Sequence, residues 1–134
     1  MAGYSATPLA KKLGIKENSN VRLVNSPTDF EKELGELPPG VQLSSRTNKP
    51  FNLVLLFVKS ESALKKEFSK YAEKIARDGM IWVAWPKKSS GVATDLSFEN
   101  VQKTGLKAGL VDVKICAVND IWSGLKFVYR LKDR

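Results

Sequence analysis

The chain has no histidine and a single cysteine among its 134 residues. Without histidine there is no Ser-His-Asp or Cys-His nucleophile system, and no zinc site of the usual Cys/His composition. One cysteine cannot close an internal disulfide. Cys116 stands in "VDVKICAVND", a strand-like stretch with no base nearby to draw off its proton, so it reads as a small apolar core residue. Long apolar runs are missing as well. Leu53–Val58 and Met80–Trp85 are strand-sized, whereas a bilayer span needs about 18 apolar residues. The opening "MAGYSATPLAKKLGIKENSN" lacks the apolar centre of a signal peptide, which predicts a cytoplasmic protein with no membrane partner.

What is present fits one globular domain over 1–134, with 43% hydrophobic and 27% charged residues. A net charge of +8 invites nucleic acid as a partner. Along the chain, however, the excess is spread: +2 over residues 1–50 (seven cations, five acids), +2 over 51–100 (eight and six), and +4 over 101–134 (seven and three). No basic arm stands out, and helical lysines alternate with glutamates, which argues against nucleic acid.

Residues 1–20 read as an N-terminal arm with four apolar anchors, Tyr4, Leu9, Leu13 and Ile15. "VRLVN" (21–25) is a first strand. Ser26-Pro27-Thr28-Asp29 then has the form of a helix start, with serine as cap and proline at the first helical position. Phe30 and Leu34 share one side of a short helix that stops before Pro38-Pro39-Gly40. "VQLSS" (41–45) and "FNLVLLFV" (51–58) are strands two and three. From Ser60 to Asp78 the apolar residues Leu64, Phe68, Tyr71, Ala72 and Ile75 form a helical stripe, with Gly79 placed to end it. "MIWVAW" is strand four, with Met80, Trp82 and Ala84 on one face and Ile81, Val83 and Trp85 on the other. A helix from Ser97 or Phe98 closes at Ala108-Gly109. "LVDVKICAV" (110–118) and "GLKFVYRL" (124–131) make a final hairpin across Asn119–Ser123. Strands apolar on both faces belong inside a sheet covered by helices on each side. The expected fold is a three-layer, Rossmann-like α/β sandwich, with about six mostly parallel strands and an antiparallel C-terminal hairpin.

In such sheets ligands collect beyond the carboxyl ends of the strands. Those ends release Asn25-Ser26, Ser45-Arg46, Lys59-Ser60 and the loop Lys87-Lys88-Ser89-Ser90-Gly91, with Trp122 in the final turn. Lysine charge, hydroxyls and loop N–H groups can hold a small anion, and Trp122 offers a stacking surface. The candidate site is therefore Arg46, Lys87, Lys88, Ser89, Ser90, Gly91 and Trp122. No catalytic residue and no metal ligand stands out, and no cofactor is expected.

"MIWVAWPK", "LSFENVQKTGLKAGLVDVKICAV" and "LKFVYRL" together resemble the C-terminal half of a Rossmann-like methyltransferase. Taken whole, from "GYSATPLAKKLGI" through "IWVAWPKKSSGVATDL" to "WSGLKFVYRLKDR", the chain also resembles a family of small bacterial proteins catalogued as a domain of unknown function. The first resemblance implies S-adenosylmethionine chemistry. The cofactor landmarks of those enzymes depart here. Asn25-Ser26-Pro27-Thr28 replaces a glycine-rich turn after strand one, Ser44-Ser45-Arg46 follows strand two in place of an acid, and Val58-Lys59-Ser60 replaces Asn-Pro-Pro-Tyr after strand three. These departures favour a non-catalytic module binding a small anionic ligand or a protein partner, with a divergent S-adenosylmethionine-dependent methyltransferase as the alternative. The arm of residues 1–20 leaves room for a homodimer.

Overall fold

The computed structural model describes residues 8–43 and 48–134. Six strands form one sheet: β1 (Asn20–Val24), β2 (Gln42–Leu43), β3 (Phe51–Phe57), β4 (Ile75–Pro86), β5 (Leu110–Ala117) and β6 (Trp122–Tyr129). Their order is β2-β1-β3-β4-β6-β5. The β2-β1, β1-β3 and β3-β4 pairs are parallel, and β6 runs antiparallel to both β4 and β5. The expected mostly parallel sheet with a C-terminal hairpin is what the chain forms.

Helices α1 (Leu9–Leu13), α2 (Phe30–Leu34), α3 (Glu61–Ala72) and α4 (Phe98–Lys107) cover the sheet. Two apolar clusters, one per face, follow from the alternation of side chains along the strands. On one face Leu64 and Phe68 of α3 and Val101 of α4 pack on Val54, Leu56, Ile81, Val83, Trp85 and Phe127. On the other, Leu13 of α1 and Phe30 and Leu34 of α2 pack on Leu53, Leu55, Phe57, Trp82 and Ala84. The two tryptophans of β4 thus lie under opposite helix layers, as the alternation in "MIWVAW" requires. The Trp82 indole N–H finds its partner in the Leu13 carbonyl at 2.7 Å.

Three boundaries differ from the sequence reading. Helix α3 ends at Ala72, and β4 already begins at Ile75, so Ile75 belongs to a strand and Gly79 lies inside it. Gly79 serves close approach: a Cβ there would come within 3.0 Å of the carbonyl oxygens of Phe51, Asn52 and Ala76, where the β3-β4 register shifts. Helix α2 begins at Phe30 with Asp29 before it, not at Ser26-Pro27. The described part of the N-terminal arm is no loose strap: Ala10, Leu13 and Ile15 are buried against the Trp82 face of the same chain. Tyr4 lies outside the described residues. Among those residues no helix is long and apolar enough to cross a membrane.

Candidate functional site

Strand β1 pairs with β2 on one side and with β3 on the other. The helices that follow β1 and β3 go to opposite faces, α2 beside Trp82 and Phe57, α3 over Val54 and Leu56. The two loops therefore part at the carboxyl ends of β1 and β3, at Val24-Asn25 and Val58-Lys59. This is the switch point at which open α/β sheets bind their ligands.

The loop leaving β1 contains no glycine, yet it has glycine-like backbone. Asn25 (φ 57°) and Asp29 (φ 63°) both occupy the left-handed region. Asparagine and aspartate tolerate that region better than other side chains do. The sequence reading looked for glycine and missed this. The detectable signal was an Asn and an Asp four residues apart, at the two ends of the loop.

The other loops of this edge are tied together. Lys87 N–H donates to Ile121 O at 2.8 Å, and Pro86 pairs with Trp122, so the Lys87–Gly91 loop lies beside the Asn119–Ser123 turn. The Thr94 hydroxyl donates to Lys59 O at 2.6 Å. Asp95 Oδ1 accepts from Glu61 N–H at 2.8 Å. Asn119 Nδ2 donates to Glu33 Oε1 of α2 at 2.9 Å. Residues 87–97 thus arch from the final turn to the start of α3.

Within the arch, Lys88–Ser90 form a 3-10 turn that ends at Gly91, whose φ of 77° needs glycine. The Ser90 hydroxyl donates to Lys87 O and accepts from Val92 N–H, so it is spent on holding the turn. Lys88 and Ser89 are exposed and Lys87 is half-buried. Neither lysine has a carboxylate within ion-pair distance among the described residues.

One expected member does not join this group. Trp122 is buried, only 7% exposed, with its ring edge-on to Phe57 at 5.0 Å between centroids. It packs the core and offers no stacking surface, because β6 begins one residue before the turn was expected to end. Arg46 lies outside the described residues. The start of α3 is also closed to an added anion: Asp95 occupies Glu61 N–H and the Ser60 hydroxyl occupies Ala63 N–H. Asp95 thus caps the helix before it in the chain, while Ser97 and Asn100 form a capping box on α4.

No protein-family model and no curated protein matches the chain. Solved structures do. A S-adenosylmethionine-dependent methyltransferase from Aquifex aeolicus superposes with a TM-score of 0.59 at 13% identity, over 87% of this chain and 85% of that one. Precorrin-6y C5,15-methyltransferase from Geobacter metallireducens gives 0.64 at 8% identity, over 91% and 86%. The fibrillarin pre-rRNA processing protein of Methanococcus jannaschii gives 0.57 at 11% identity, over 96% and 76%. At these identities the likeness is one of fold: the chain shares the Rossmann-like α/β architecture of these structures.

Proposed function

We propose that the chain is a divergent S-adenosylmethionine-dependent methyltransferase that binds its cofactor at the switch point between the carboxyl ends of β1 and β3. The observation that carries this reading is the left-handed backbone at Asn25 and Asp29, in the loop where a glycine turn would serve the same purpose. The backbone part of the site fits such a cofactor: the Asn25–Asp29 loop, with its two left-handed residues, follows β1 at the switch point. The ribose grip fits less well, since Ser44-Ser45-Arg46 follows β2 in the sequence and Asp29, the acid at the end of the β1 loop, is exposed beside Lys32. When bound, the cofactor would supply the methyl group. The chain's part is to orient it through the loop backbone.

Titration calorimetry with S-adenosylmethionine and with S-adenosylhomocysteine tests the reading. Saturable heat with either ligand is expected, retained in Asn25→Gly and lost in Asn25→Val, because a β-branched residue resists positive φ. Absence of saturable binding by both ligands to the folded protein overturns it.

A second reading is favoured by Lys87 and Lys88, which have no carboxylate partner among the described residues. Here the chain is a non-catalytic module in which Lys87, Lys88 and Ser89 hold a small anion while Ser90 and Gly91 shape the turn. A panel of phosphorylated metabolites in a thermal-shift assay should then raise the melting temperature. The rise should vanish in the Lys87→Ala, Lys88→Ala variant. A rise that survives both substitutions removes this edge from consideration.

A further inference from the structure

The charge that is spread evenly along the sequence is not spread evenly in space. Lys114 of β5 and Lys126 of β6 are directly opposite one another across the antiparallel pair. Like charges in that relation destabilise a sheet. Over them lie α1 and the turn after it, which bring in Lys12 and Lys16 from the other end of the chain. The Lys12 ammonium donates to Ala117 O at 3.2 Å, and that of Lys114 to Lys12 O at 3.5 Å. Lys126 Nζ lies about 4.0 Å from where a side chain on Gly14 would begin. Burial, then the charges of Lys114 and Lys16, push the Lys126 amine below its ordinary range.

No carboxylate relieves this group. Glu17 and Asp78 line a small groove beside Lys16, and the ion pairs among the described residues are Lys32–Asp29 and Lys65–Glu61, both elsewhere. Asp112 of β5 faces the opposite side, where Gln102 of α4 binds it. A second basic cluster, Arg22, Lys70 and Lys74, is different in kind. Its cations lie over the Tyr71 ring and are already partnered. The Lys12, Lys16, Lys114 and Lys126 group has no ion-pair partner among the described residues.

We propose that Lys12, Lys16, Lys114 and Lys126 form a docking face for the phosphate backbone of a nucleic acid strand. The four come from α1, the turn after it and two strands, so they present a spread of point charges rather than a pocket. Lysine ammonium groups suit phosphates met from several directions, and such contacts position a strand without reading its sequence. A protein partner would call for arginine or exposed aromatic anchors, and none of the four is either. The face lies across β5 and β6, away from the β1/β3 switch point, and does not depend on the cofactor reading.

Fluorescence anisotropy with a labelled single strand of about 16 nucleotides tests the proposal. Binding should weaken with salt at a log-log slope of about −0.7 per lysine, close to −3 for the four. Lys114→Gln with Lys126→Gln should roughly halve that slope and weaken binding about tenfold at low salt, with little dependence on base sequence. Lys12→Gln with Lys16→Gln, from the other end of the chain, should do the same, whereas Lys103→Gln with Lys107→Gln on α4 should leave the curve in place. Circular dichroism confirms that each variant is folded. The proposal is overturned by absence of binding at low salt, by equal loss in the α4 control, or by tighter binding of inorganic tripolyphosphate than of the strand, which would make this a small-anion site.

Discussion

The carboxylate of Asp95 accepts a 2.8 Å hydrogen bond from the backbone N–H of Glu61 and so closes the start of α3 with a charge carried by the chain itself. An acid there complements the helix dipole as well as satisfying a donor. Asp95→Ala should cost about 1 kcal/mol in urea unfolding. Asp95→Asn, which keeps an acceptor and loses the charge, should cost less. The alanine variant also opens the helix start, so phosphate should raise its melting temperature more than that of the parent. Equal phosphate shifts in the two proteins would show that Asp95 does not guard this position.

Gly105 of α4 is buried against Phe127, and a Cβ built on it would fall within 2.6 Å of Phe127 Cζ and closer still to Cε1. In an open helix, Gly→Ala gains about 1 kcal/mol. Here overpacking should win, and Gly105→Ala should destabilise by about 1–3 kcal/mol. Phe127→Leu in the same background should recover part of the loss. A more stable Gly105→Ala protein would contradict the close packing of α4 on β6.

Lys126→Met removes a charge from the Lys12, Lys16 and Lys114 group while keeping the stem that packs on the sheet. A gain of about 0.5 kcal/mol is expected at neutral pH, falling with added salt. Because the Lys126 amine is held below its ordinary value, the folded chain releases this proton before the unfolded one does. The unfolded state therefore binds more protons between the lowered value and about 10.5, and this group's contribution to stability rises with pH over that window. The difference between parent and Lys126→Met in chemical denaturation should accordingly shrink as pH approaches 10. A difference independent of pH would disprove the assignment.

Burial pushes the Cys116 thiol up, and the neighbouring charges of Lys12 and Lys114 only partly oppose it. At about pH 8 the thiol should react with a disulfide reagent more slowly than a free cysteine does. The stability tied to its protonated form is present below the unfolded value of about 9 and is lost as pH rises through the higher folded value. A rate above that of free cysteine would place the thiol under the control of the two lysines instead.

Much of the fold was legible because its signals are local. Alternation within "MIWVAW" placed Trp82 and Trp85 under opposite layers, and the stripe Leu64, Phe68, Tyr71 fixed α3. The end of α3 was not legible: Ile75 continues the helical period by chance, and only pairing with Phe51 makes it a strand residue. The carboxyl-edge address of Lys87–Gly91 followed from topology. The burial of Trp122 did not, since it depends on Phe57 reaching it across the edge. Least visible was the lysine face. Lys12 and Lys126 are more than a hundred residues apart, and an average of charge over stretches of chain erases what the hairpin and α1 bring together.

The sheet ends differently from how it is built inside. At one margin β2 pairs, among the described residues, through Gln42 and Leu43. At the other, the β5-β6 register shifts between Asp112 and Lys114, leaving Val113 out of step and 54% exposed, with a lysine next to it. A strand from a second copy would meet a broken, charged ladder on the β5 margin. The apolar side chains that β5 exposes are thereby kept from seeding a continuous sheet between molecules.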